Sequence, residues 1–158
     1  MPYAAKILAS SRILAPISGF DGSMQIDAGF EFLTYGEGDG QREITLAASN
    51  SYSIAGSGTQ DVDLTALTDV GGNALSGLTD VLYFAVYVTG GSAVVDQSAA
   101  NGWSGLLSGG TDGINVADGA IFEIKAPKGG YAVSGSSKSI TITAGSDAIT
   151  AVVVVAGH

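Results

Sequence analysis

The apolar positions of this chain fall in short runs with a period of two, and the densest is Val81-Leu82-Tyr83-Phe84-Ala85-Val86-Tyr87-Val88. It follows Thr79-Asp80 and stops at Thr89-Gly90-Gly91, a strand's length with turn residues at both ends. Alternation puts Val81, Tyr83, Ala85 and Tyr87 on one face and Leu82, Phe84, Val86 and Val88 on the other. Neither face carries charge, so both need cover: a second sheet on one, and loops, the N-terminal segment or another subunit on the other. The run from Ile149 to Val155 is apolar on both faces in the same way, which predicts that the two strands lie side by side inside a sheet.

The remaining runs read as half-buried strands. Ser51-Tyr52-Ser53-Ile54, Asp61-Val62-Asp63-Leu64 and Ser139-Ile140-Thr141-Ile142-Thr143 alternate polar with apolar. Ala120 to Lys125 places Phe122 and Ile124 inside with Glu123 and Lys125 outside, and Ile114-Asn115-Val116 is a short strand between turns. Ser92 to Asp96 reads as the hairpin partner of the central strand, and Phe30 to Tyr35 and Arg42 to Leu46 as two earlier strands. No stretch has a helical period. About eight to ten short strands at regular turn spacing predict an all-β, single-domain antiparallel β-sandwich of jelly-roll type over residues 21–158.

Residues 1–20 alternate poorly, and their apolar clusters include Ile7, Leu8, Ile13 and Leu14. They read as an N-terminal arm or packing segment, which either lies along its own domain or reaches a neighbouring subunit.

Composition narrows the function. At 158 residues, one domain can bury a true core without metal or disulfide staples. With 46% hydrophobic and 13% charged residues the chain is too apolar to be disordered, and 24 glycines against 3 prolines suit many tight turns. A formal charge of −9 repels nucleic acid and anionic membranes. No apolar run approaches the roughly 20 residues of a membrane span, and Ser10-Ser11-Arg12 and Pro16 break the first apolar cluster, so no secretion signal is read there. That predicts synthesis in the cytoplasm and a soluble product. Without cysteine there are no disulfides, thiolate nucleophiles or Cys-based metal sites.

Candidate chemistry is sparse. His158 is the only histidine and ends the chain, where a rigid catalytic frame is not expected, so Ser-His-Asp and Cys-His arrangements are disfavoured. Asp61 and Asp63 share one strand face and are the nearest thing to a glycosidase carboxylate pair, whereas Glu31, Glu43 and Glu123 read as scattered surface charges. Gly36-Glu37-Gly38-Asp39-Gly40 and Asp112-Gly113 hold oxygen ligands of the kind calcium prefers, but lack the spacing of a twelve-residue calcium loop and read as solvated turns. The expectation is no enzyme, no cofactor and no metal. Trp103, with Gly102 and Gly105 nearby, reads as a core plug or a subunit anchor rather than a sugar platform.

The order of the turn motifs adds a further expectation. They are Leu33-Thr34-Tyr35-Gly36-x-Gly38, Thr45-Leu46-Ala47-Ala48-Ser49, Ile54-Ala55-Gly56, and Leu67-Thr68-Asp69-x-Gly71-Gly72-Asn73-Ala74-Leu75. Asn101-Gly102-Trp103-Ser104-Gly105 and Ala126-Pro127-x-Gly129-Gly130-Tyr131-Ala132-Val133 follow. From about Phe32 to Val155 this order resembles small all-β virion proteins of tailed bacteriophages, with Ala117-Asp118-Gly119 standing where a proline-glycine-glycine element often occurs. The resemblance implies a capsid decoration, or cement, protein on the virion surface, bound between capsomers of the major capsid protein as a homo-oligomer, dimer or trimer. On that reading Ile7, Leu8, Ile13, Leu14 and Trp103 are the candidate subunit or capsid contacts. A head-fibre or tail component and a carbohydrate-binding β-sandwich module are the alternatives.

Overall fold

The structure, a computed structural model, describes residues 8–16, 23–31, 46–69, 71–105, 113–126 and 129–158, the first two stretches as backbone only. The chain divides into two compact units, Met1–Arg42 and Glu43–His158. In the first, β1 (Leu8–Pro16) and β2 (Ser23–Glu31) pair antiparallel from Leu8 opposite Glu31 to Pro16 opposite Ser23. Residues 8–16 carry too little alternation to announce a strand, and Pro16 ends it, where a missing N–H costs least. The division between units falls after this hairpin, at 42/43, where the sequence suggested 20/21.

The second unit is all-β among its described residues. Its strands are β3 (Leu46–Ile54), β4 (Thr59–Asp63), β5 (Asp80–Thr89), β6 (Ala93–Gln97), β7 (Ile114–Val116), β8 (Ile121–Lys125), β9 (Tyr131–Ala132), β10 (Ser139–Ala144) and β11 (Ile149–Gly157). One sheet has the order β3-β11-β5-β8, with β9 extending the β8 side of β5, and the other has β4-β10-β6-β7. The pairs β3·β11, β4·β10, β5·β8 and β6·β7 are antiparallel, so the chain is a doubled ribbon folded back on itself. Wrapping that ribbon brings β11 beside β5 and β10 beside β6, and this is the jelly-roll β-sandwich the strand spacing predicts.

Sequence dictates which face of each strand turns inward. In β10, Ile140, Ile142 and Ala144 are buried while Thr141 and Thr143 stay at the surface. In β6, Ala93 and Val95 are buried and Val94 is 40% exposed. Strand β6 is not the hairpin partner of β5. The turn at Gly90-Gly91 carries the chain across to the other sheet, where β6 pairs with β10 and β7. Gly90 makes this crossing at φ +91, with Ala148 O only 2.8 Å from where a Cβ would stand. Only glycine tolerates both the dihedral and the approach.

Strands β5 and β11 are buried on both faces. Phe84, Val86, Val88, Ala151, Val153 and Val155 belong to the core cluster, and on the opposite face Tyr83, Ala85, Val152, Val154 and Ala156 are each 2% exposed or less. The two strands are neighbours, as their shared pattern implies, with Val153 opposite Val86. Their register slips between Ala156, opposite Tyr83, and Gly157, opposite Val81. Leu82 is the extra residue, and such a bulge reverses the alternation beyond it. Val81 therefore joins Phe84 in the core cluster and Leu82 does not, contrary to the simple alternation of the sequence.

The long connection between β4 and β5 closes one end of the core with Leu64, Leu67, Leu75 and Leu78, all buried. Burial of each contributes about 1.5–3 kcal/mol. No helix among the described residues is long and apolar enough to cross a membrane.

Candidate functional site

The loop from Asn101 to Gly105 is built around Trp103. The indole is fully buried, tilted 55° against the Phe84 ring at 5.3 Å and edge-on to Tyr131 at 6.0 Å. Its Nε1–H donates to the Ala132 carbonyl at 3.1 Å, which satisfies the one polar atom of an otherwise apolar plug. Asn101 takes a left-handed φ of 56°, and its carbonyl accepts from the amides of Lys138 and Ser139 at 2.8 and 2.9 Å. The Trp103 amide donates to Ser139 O at 2.8 Å. A Cβ at Gly105 would stand 2.6 Å from both the indole and Tyr131 Cβ, so the last glycine of the loop is fixed by packing. Of the two readings of Trp103, the structure shows the core plug; the side chain offers no surface to a partner.

Two sequence motifs distant along the chain, 101–105 and 129–133, thus meet in space through Trp103, Tyr131 and Ala132. A third closes on itself. Asp69 Oδ1 accepts from the amides of Gly71 and Asn73, both at 2.8 Å, and these bonds hold its carboxyl below the usual range. Asn50 on β3 ties this loop to the sheet, its Oδ1 accepting from Thr68 N and its Nδ2 donating to Thr68 Oγ1, each at 3.1 Å.

The other candidate contacts lie in the first unit. Leu8, Ile13 and Leu14 fall on β1, opposite Glu31, Ile26 and Gln25. Ile7 lies outside the described residues, as do the Gly36 to Gly40 turn, Glu43 and Asp112.

The carboxylates are tied into neighbouring strands. Asp61 accepts from Thr141 Oγ1 and, at 3.2 Å, from Ser98 Oγ. Asp63 pairs with Lys138 Nζ at 2.6 Å and accepts from Thr65 N and Oγ1 at 2.9 and 2.7 Å. Burial works to raise the Asp63 pKa, but the bonds from Lys138 and Thr65 outweigh it and hold the carboxyl low. A glycosidase acid needs the opposite shift, so Asp63 does not fit that role. Among the described residues no group of three or more His, Asp or Glu can hold a metal ion. His158 is not frayed: its carbonyl accepts from the amides of Thr79 and Asp80 at 2.7 and 3.1 Å, and its Nε2 lies 3.4 Å from Asp80 Oδ2.

One feature was not legible as a site in the sequence. Where β3, β5 and β11 end, an open cavity of about 440 Å³ is lined by Ser53, Thr89 and Thr150 together with Ile54, Gly90 and Ile149. Thr150 pairs with Ser53 on one side and Thr89 on the other, so the three hydroxyl residues form one cross-strand row. The register, unknown until the sheet order is known, is what aligns them.

The described second unit therefore belongs to the class of double-sheet jelly-roll sandwiches. Compared with protein-family models and with curated proteins, the chain matches none.

Proposed function

We propose that this chain is a structural protein of a phage virion, a decoration or cement protein that binds between capsomers of the major capsid protein and stabilises the mature shell. The observation that carries the reading is the use to which the recurring motifs are put. The segments 68–75, 101–105 and 129–133 are spent on closing loops and plugging the core, through Asp69, Trp103 and Ala132. Motifs that close loops and plug the core suit a protein that acts as a passive brace, which supports the virion reading.

A brace of this kind acts by linkage. Binding the expanded shell and not its looser precursor stabilises the bound form by RT ln(1 + [L]/Kd), about 2.7 kcal/mol at a hundredfold excess over Kd. A shell repeats its sites, so a homo-oligomer engaging two or three of them gains avidity without stronger single contacts. The protein would then reside on the capsid surface after synthesis in the host cytoplasm.

Sedimentation of expanded capsids with and without the purified chain is the test. Co-sedimentation that saturates at a fixed ratio to capsomers, with higher resistance of the shell to heat, is expected. A chain that stays in the supernatant while a glycan column retains it would make the carbohydrate-binding alternative the better one.

A further inference from the structure

Among the described residues the sandwich ends in four edge strands, and three of them carry a device that discourages pairing with another chain. Strand β4 presents Asp61 and Asp63, β8 presents Glu123 and Lys125, and β7 is only 3 residues long. Charge and shortness are the usual means by which a sheet edge is kept from acting as a template. Strand β3 has neither. It runs 9 residues, Leu46-Ala47-Ala48-Ser49-Asn50-Ser51-Tyr52-Ser53-Ile54, with no charge and no proline, and its register with β11 is unbroken from end to end. Among the described residues its only ladder is the one to β11.

We propose that the open edge of β3 pairs antiparallel with β3 of a second copy, joining two β3-β11-β5-β8 sheets into one across a two-fold axis at Asn50. Self-pairing is possible here because the strand is uncharged, although the whole chain carries −9; the same operation at β4 would set aspartates against each other. The side chains are self-complementary about Asn50. On the core side Tyr52 meets the small Ala48 and Leu46 meets Ile54; on the outer side Ser49 meets Ser51 and Ala47 meets Ser53. Ala47, Ser51 and Ser53 are exposed, so the outer row closes without displacing core residues. The inference does not depend on the capsid reading, because it concerns the free protein in solution.

The test is sedimentation equilibrium of the full chain with three variants. The wild type is expected at twice the 15.7 kDa of one chain. Ser49→Lys/Ser51→Lys, which sets like charges across the two-fold, is expected to weaken the dimer at least a hundredfold while its thermal unfolding stays cooperative. Thr59→Lys, on the β4 edge, is expected to leave it intact. A spin label at Ser53 in the otherwise wild-type chain reads the register independently of any lysine. Ser53 is opposite Ala47 of the second copy, six residues from that copy's Ser53, giving a label separation of about 20 Å. A wild-type monomer at tens of micromolar overturns the proposal. So does a dimer indifferent to the β3 lysines, a dimer lost equally with Thr59→Lys, or a label distance far from 20 Å.

Discussion

On the β4-β10-β6-β7 sheet, the side chains that point away from the core include Thr59, Asp61, Asp63, Thr141, Thr143, Val94, Asp96 and Asn115, and water suits all but one of them. On the two central strands of the β3-β11-β5-β8 sheet, β11 and β5, the same positions hold Val152, Val154, Ala156, Tyr83 and Ala85, and each is buried, while the edge strands β3 and β8 expose Ala47, Ser51, Ser53, Glu123 and Lys125. The backbones are alike, and the contrast lies in what every second residue is. Strand β10 spells Ile-Thr-Ile-Thr and needs cover on one side, whereas β11 spells Val-Val-Val-Val and needs it on two. One sheet is a wall facing solvent across its width, and the other is buried on both faces along its two central strands, the interior layer of β11 and β5. That difference, more than any single residue, sets where substitutions will be felt.

The same carboxylate placed on both outer faces should tell them apart most sharply. Val154→Asp buries a charge with no partner and is expected to cost about 3–5 kcal/mol, a large share of the roughly 5–15 kcal/mol that stabilises an ordinary domain. Thr143→Asp, on the outer face of the other sheet, should cost under about 1 kcal/mol. Urea denaturation of the two variants measures both. Equal losses would mean that the two outer faces are not different environments.

The plug at the end of the core is the next test. Trp103→Phe keeps an aromatic ring against Phe84 and Tyr131 but leaves the Ala132 carbonyl without its donor and a void where the larger indole packed, for a loss of about 2 kcal/mol. A loss of that size should lower the melting temperature by several degrees and leave unfolding two-state. A Trp103→Phe variant with unchanged melting would show that neither the indole's extra volume nor its bond to Ala132 contributes to stability there.

The interior layer was the easiest part of the molecule to read. Two runs apolar on both faces have one economical arrangement, side by side, and β5 and β11 adopt it. The wet sheet was legible strand by strand, through Ile140 and Ile142 or Val62, but not in its connections. Gly90-Gly91 looks like a hairpin turn, and nothing local distinguishes a chain that doubles back within a sheet from one that crosses to the next. What decides it is that Ala93 and Val95 complete the other wall, a fact about packing and not about the turn. The bulge at Leu82 was invisible for a similar reason: a bulge is set by the partner strand, here the end of β11, where His158 exchanges backbone hydrogen bonds with Asp80. Trp103 was half legible. Its flanking glycines announced a ring tucked inward, but the partner that fixes it, Ala132, lies 29 residues away. The hydroxyl row of Ser53, Thr150 and Thr89 could not be seen at all before the register was known.

A smaller effect probes the rim of the interior layer. The Tyr83 hydroxyl donates to Glu123 Oε2 at 3.2 Å, Lys125 Nζ lies 3.0 Å from Glu123 Oε1, and the same ammonium sits 5.9 Å from the Tyr83 ring centre. Burial first, then the Glu123 charge and hydrogen bond, push the phenol up to about 12. Because the folded state holds the proton more tightly than the unfolded one, this contribution is complete below pH 10 and is lost between pH 10 and 12. Tyr83→Phe should cost about 1 kcal/mol at neutral pH and flatten the alkaline loss of stability. A phenylalanine variant that loses stability over pH 10–12 as steeply as the wild type would place the titration elsewhere.

The smallest effect belongs to the wet sheet and has the opposite pH sign. Asp63 is about a third exposed, at 32%, and its carboxyl is held low by Lys138 and Thr65 against the raising effect of burial. A carboxyl depressed in the folded state contributes stability above its unfolded pKa, near 4, and loses it as pH falls through the lower folded value. Solvent screens the Lys138 pair, so Asp63→Asn should cost only about 0.5–1 kcal/mol at pH 7. The gap between variant and wild type should stay constant down to about pH 5 and close below pH 4. Added salt should narrow it at neutral pH, because an exposed pair is screened and a buried one is not. If the gap instead persists undiminished at pH 2, the stabilisation at Asp63 comes from the shape of the turn after β4 that its side chain closes by accepting from Thr65, and the charge on this wall contributes nothing.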